Sequence, residues 1–234
     1  YEVAAIVQDG IHRMFGPDTP TDQRDVFYYL TLYNENYVMP AMPEGDTSTI
    51  SAGIVEGLYR WKAAPDGLGQ RATLLFSGSA QGAARAAAEE LAEHFDVAAE
   101  LWSATSYKRP REDALATYRW NRLHPDQPAR TPRVAELLGD TAGPIIAVTD
   151  FMAAVPEQIA RFLPGRSFTP LGTDGMGRSD TREALRRFFE VDTGHVVVAT
   201  LAALAAQGEV KPEVVTDAFQ RYDIDPDAVD PYLV

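Results

Sequence analysis

Asn34-Glu35-Asn36-Tyr37 places two amides, a carboxylate and a phenol within four residues, just past an apolar run. Such a set can hydrogen-bond a substrate or another protein surface, and open α/β sheets take ligands at the edge past their strand ends. A loop packed against a second domain explains the same residues equally well. A denser group is Gly172-Thr173-Asp174-Gly175-Met176-Gly177-Arg178-Ser179-Asp180. Its glycines permit backbone geometry that other residues resist. Asp174, Arg178 and Asp180 can form an ion-pair network or hold an oxygen ligand, although a rigid loop at a subunit contact is the favoured reading. Asp180 is also expected to cap the helix that follows. Ser77-Gly78-Ser79-Ala80-Gln81-Gly82 opens a helix after a strand, where free N–H groups could receive an anion. Its spacing is not GxGxxG and no GK[ST] follows, so an ordinary β-to-α turn is favoured.

Other chemistries find little support. His12, His94, His124 and His195 show no HxH or HxxxH spacing, so a metal site made within this chain is not expected. There is no cysteine, which removes disulfides and thiolate nucleophiles. No serine sits in a GxSxG elbow. Lys108-Arg109-Pro110-Arg111 is a basic island read as a solvated loop rather than a phosphate site. The formal net charge of −13 argues against nucleic-acid and anionic-lipid partners. No apolar run approaches 18 residues, so no membrane span is expected, and a cytoplasmic location is the default. The chain opens on Tyr1, within a helical pattern, which suggests residues upstream of it.

The elements that must position these groups alternate strand and helix. Val3, Ile6, Val7, Gly10, Ile11, Met14 and Phe15 trace one face of a helix ended by Gly16 and Pro17. Residues 26–33 (VFYYLTLY) read as a buried strand. A domain boundary is expected between Pro40 and Thr49, in a stretch with two prolines three apart. Residues 50–62 suit a strand or a short helix with a strand. Strands follow at 72–76, 97–103, 145–148 and 168–171. Helices are expected at 81–95, 155–162, from Asp180 or Thr181 to 189, at 195–206, and from Lys211-Pro212 to 222. This rhythm predicts an α/β fold with a mostly parallel or mixed sheet covered by helices.

Several segments resemble the homodimeric bacterial pyruvate dehydrogenase first component. They are Tyr28-Tyr29 leading into Asn34 through Gly45, Thr105-Ser106-Tyr107, Arg119-Trp120-Asn121 with Leu123-His124-Pro125, and Gly172 through Asp180 followed by Thr181-Arg182-Glu183. Gln8-Asp9-Gly10 and Arg13-Met14 also fit. The matches run in the same order along the whole chain. The resemblance implies that residues 1–45 end a middle, pyrimidine-binding domain and that residues 46–234 form a transketolase-like C-terminal domain. It implies an enzyme that decarboxylates pyruvate on thiamine diphosphate and Mg2+, as a homodimer, and passes the acetyl group to a lipoyl-bearing acyltransferase.

The family's diphosphate and metal motif, its activating Glu and its catalytic His residues would all precede Tyr1. No catalytic, cofactor-binding or metal residue is therefore carried over to this segment. Asn34, Glu35, Asn36, Tyr37, Asp174, Arg178 and Asp180 are the candidates for an interface or active-site edge. Two departures stand out. Val38 occupies a position where the family often has His, and residues 108–114 (KRPREDA) replace a segment closer to ELARDG. The alternative is a separately encoded, non-catalytic subunit of a split thiamine enzyme that loads another acyl carrier. An independent enzyme using the Gly172–Asp180 loop is disfavoured, because no nucleophile–base pair is visible.

Overall fold

The computed structural model describes residues 1–233. At its centre is a five-stranded sheet ordered β1-β3-β2-β4-β5, with β1 Tyr59–Lys62, β2 Gln70–Phe76, β3 Val97–Ser103, β4 Ile145–Val148 and β5 Phe168–Leu171. β2 pairs with β3 in parallel from Gln70 opposite Val97 to Phe76 opposite Ser103. β4 and β5 continue in parallel on the other side, and β1 closes the β3 edge antiparallel. Pro170, which has no N–H for a further ladder, lies in β5 at an edge of the sheet.

Strand side chains alternate between two cores because their period is 2. Leu74, Ile146 and Val148 face one side, where α3 Gln81–His94, α8 Thr193–Ala206 and α9 Pro212–Arg221 pack. Ala84, Ala87 and Leu91 form the buried stripe of α3, and two alanines in it leave room for close helix packing. Leu75, Ile145 and Ala147 face the other side, against Ala114 of α4 Lys108–Leu123 and Val134 and Leu138 of α5 Arg133–Leu138. Helices thus cover both faces of a mixed sheet, as expected.

Three expectations need correction. Residues 26–33 form no strand, and Phe27, Tyr29 and Leu32 are 89%, 85% and 72% exposed. A strand is held by ladder bonds to a neighbour, and among the described residues no strand runs beside this segment. Lys108–Arg111 is not a loop but the first turn of α4. Pro110 is tolerated there because the first N–H groups of a helix have no intrahelical partner. The expected helix at 155–162 is interrupted. α6 Ala154–Glu157 gives way to a 3-10 turn at Ala160–Phe162, whose i→i+3 bonds send Ile159 and Phe162 into the core.

One apolar segment bears on the expectation of no membrane span. The segment Arg182–Ala206 is long and apolar enough, by length and composition, to cross a membrane, its most apolar 18-residue window having a mean hydropathy of 1.4. It is divided into α7 Arg182–Phe188 and α8, and α8 buries Val196, Val197, Leu201 and Leu204 against the sheet and its neighbouring helices. Its apolarity on most sides is that of a core helix.

The first forty residues lie across one end of this sheet. α1 Glu2–Phe15 packs against α2 Thr47–Glu56. Tyr28 folds back on α1, its ring against Gly10 and its hydroxyl donating to Asp9 at 2.5 Å. Much of the amphipathic face of α1 is uncovered: Val3, Val7, Ile11 and Phe15 are exposed, while Ile6 and Met14 are half-buried.

Candidate functional site

The parallel strands end together, and the loops beyond their carboxyl ends meet residues 1–40. After β2 and β4 come Ser77 and Thr149, both buried, with their hydroxyls 2.6 Å apart. The next residues, Gly78 to Ala80, make a 3-10 turn into α3, which confirms the β-to-α turn. Gly78 holds φ at +55°, a conformation that suits glycine. Asp150 accepts a hydrogen bond from Ser79 Oγ at 3.0 Å and one from the Tyr33 hydroxyl at 2.9 Å. Burial first, then the Asp150 carboxylate, raises the Tyr33 phenol well above the ordinary tyrosine range.

A second contact lies at the β3 end. Glu2 accepts from the hydroxyls of Tyr59 and Ser103, each at 2.7 Å, and the Tyr1 hydroxyl lies 2.7 Å from that of Tyr59. Burial, then the neighbouring Glu2, pushes the Tyr59 phenol far up. The third contact is ionic. Asn34 accepts from Arg182 at 3.0 Å, while Glu35 pairs with Arg186 and lies 4.0 Å from Arg182. Between these contacts opens a cavity of about 490 Å³, lined by Glu2, Ile6, Tyr33, Glu35, Tyr37, Met39, Ser77, Ser103 and Tyr107 among others.

The candidates from the sequence divide. Asn34 and Glu35 engage α7, and Tyr37 lines the cavity, whereas Asn36 is exposed. Asp174, Arg178 and Asp180 form no ion pairs with one another. Asp174 accepts from the Ala153 N–H at 2.8 Å and ties its loop to the start of α6. The Arg178 guanidinium lies 4.3 Å over the Phe188 ring. Asp180 does not cap α7; Thr181 does, accepting from the Ala184 N–H at 3.2 Å. The two candidate stretches converge on α7, which begins directly after one and binds the other. Sequence reasoning missed Glu2, Tyr59, Ser103, Thr149 and Asp150. Only the end of a strand marked Ser103, Thr149 and Asp150, and that signal is weak on its own.

The sequence family described as the transketolase-like C-terminal domain matches residues 57–192, more than half of the chain. The chain belongs to that family. The transketolase-like domain is preceded by a match at residues 1–40 to the pyruvate dehydrogenase E1 component middle domain. The chain is 43% identical over 231 residues to the pyruvate dehydrogenase E1 component of Pseudomonas aeruginosa, covering 99% of this chain and 25% of that protein. It is 45% identical over 225 residues to that of Mycolicibacterium smegmatis, covering 96% and 23%. It also resembles the solved transketolase from Leishmania mexicana at 20% identity, with a TM-score of 0.45, covering 70% of this chain and 20% of that one. The chain spans about a quarter of the length of the curated relatives it matches.

Proposed function

We propose that this chain is the C-terminal unit of a thiamine-diphosphate-dependent, pyruvate dehydrogenase E1-type enzyme. The enzyme decarboxylates pyruvate and passes the acetyl group to a lipoyl carrier. The observation that carries this reading is similarity along nearly the entire chain to proteins of that name, at 43% identity. Residues 1–45 belong to the middle domain and residues 46–234 to the C-terminal domain. The exposed apolar face of α1 and residues 26–33 support this division, because a middle-domain sheet upstream of Tyr1 would cover both.

Within that enzyme the chain's task is mechanical. The contacts of Glu2, Tyr33 and Glu35 hold the end of the middle domain against the carboxyl edge of the C-terminal sheet. They fix the approach formed by Asn34, Glu35, Asn36 and Tyr37, while Asp174 and Arg178 stiffen the adjoining loop. Thiamine diphosphate supplies the electron sink for decarboxylation when bound. Among the described residues no three His, Asp or Glu side chains converge on a metal position. On this reading the Mg2+–diphosphate pair is held mainly by residues outside this segment, and no step is assigned to this chain's residues through that group. The assembled enzyme is a cytoplasmic homodimer working with an acyltransferase partner.

The test is turnover by the full-length gene product. Thiamine- and Mg2+-dependent release of CO2 from pyruvate is expected. Turnover that survives removal of the cofactor overturns the reading. An intact mass close to 25.7 kDa, together with co-purifying chains, shifts it to a split enzyme.

A further inference from the structure

The sheet reverses its order between β2 and β4. β2 leads through α3 to β3 on one side, and β4 leads to β5 on the other. A crevice opens above the strand ends at such a reversal, and it is where open α/β sheets receive ligands. Here its floor is the Ser77–Thr149 hydroxyl pair and its wall is the Ser79–Asp150 hydrogen bond. The Tyr33 side chain stands over it. Its hydroxyl donates to Asp150 at 2.9 Å, and a Cβ added to Gly78 would lie 2.5 Å from the phenol oxygen and 2.7 Å from ring carbons.

We propose that Tyr33, still 39% exposed, stands across the mouth of the fold's ligand crevice as a plug, and that Tyr33 and Asp150 are positioning residues for Asn34 to Tyr37. The glycine at position 78 is what lets the ring come this close. One residue further on, Asn34 takes a hydrogen bond from Arg182, and Glu35 pairs with Arg186. The plug sets how closely the segment approaches the sheet, and the arginines of α7 set its direction. Tyr33 and Tyr37 both line the cavity, so the placement of one fixes the wall that the other supplies. The consequence for catalysis rests on the functional reading above, that this segment borders an active site; the plug itself does not.

The experiment uses the full-length gene product. Spin labels are placed at Val38→Cys, on the exposed segment, and Glu89→Cys, on the exposed side of α3, in a background without other reactive cysteines. Their distance distribution is read in the parent, Tyr33→Ala, Tyr33→Phe and Asp150→Asn. A narrow distribution is expected in the parent, a broad one in Tyr33→Ala, an intermediate one in Asp150→Asn, and near-parental width in Tyr33→Phe, whose ring still stands across the crevice. In pyruvate turnover, Tyr33→Ala is expected to lower kcat about tenfold with KM nearly unchanged, because a displaced wall disturbs orientation more than binding. Tyr33→Phe is expected to restore most of that loss. Where Tyr33→Ala does not fold, Tyr33→Leu takes its place. A distribution as narrow without the ring as with it overturns the plug. If the parent shows no thiamine-dependent turnover, the functional reading falls while the distance measurement still decides the plug.

Discussion

The Glu2 carboxylate and the Ser103 hydroxyl, 101 positions apart in sequence, are joined by a 2.7 Å hydrogen bond. The same carboxylate accepts from Tyr59, which is 5% exposed, and so ties α1 to β1 and β3 at once. Glu2→Leu leaves both hydroxyls without their acceptor, at a cost of about 1–3 kcal/mol. Urea unfolding of the full-length protein should show the loss, and Tyr59→Phe in the Glu2→Leu background should return part of it.

The same group makes a pH prediction. The folded Tyr59 pKa is raised above its unfolded value, by burial and then by Glu2. Its contribution to stability is therefore complete below the unfolded tyrosine pKa of about 10 and is lost as pH rises above it. Tyrosinate absorbance should develop later in the folded protein than in urea, and Tyr59→Phe should flatten the alkaline decline in melting temperature.

Asp192 caps α8 from the inside. Its carboxylate accepts from the His195 N–H at 2.9 Å, lies 2.7 Å from His195 Nδ1 and pairs with Arg187 at 3.3 Å. Burial opposes its ionisation, but the His195 and Arg187 contacts outweigh burial and lower its pKa. The folded pKa lies below the unfolded one, so this stability is present above the ordinary aspartate range and is lost as pH falls through the lowered pKa. Asp192→Ala should cost about 0.5–2 kcal/mol at neutral pH and much less in acid, as read by melting at both.

On α3, Ala87 is fully buried where the helix meets the core over β2 and β3. Ala87→Leu adds carbon atoms to a filled interior and should cost about 1–3 kcal/mol. A matching change at exposed Glu89 should leave the melting temperature nearly unchanged.

The division of the chain also has a measurable consequence. Segment 46–234 expressed alone lacks the uncovered apolar groups of α1 and residues 26–33, whereas segment 1–234 carries them. The longer segment should bind an apolar dye more strongly and self-associate more readily. Equal behaviour of the two removes the support that exposure lends to the domain division.

Strands β3, β4 and β5 were legible residue by residue, because short β-branched and apolar runs between turn residues have few other uses. Helix α4 was not. Its buried or partly buried positions are Pro110, Ala114, Thr117, Trp120 and Asn121, and one large apolar side chain among them is too few to mark a hydrophobic period. Residues 26–33 failed in the opposite way. Their apolar pattern is strong, yet a strand exists only beside another strand.

What the sequence determined by itself is therefore local or cumulative. Periodicity set the α/β order, the breakers set most element ends, and the colinear motifs pointed to the family. What the tertiary structure alone decided is which distant groups meet. Tyr33 reaches Asp150, Glu35 reaches Arg186 and Glu2 reaches Ser103 across 117, 151 and 101 positions. Such pairs leave no period in the chain, because their spacing is set by how the sheet is wound and by which loops share its carboxyl edge.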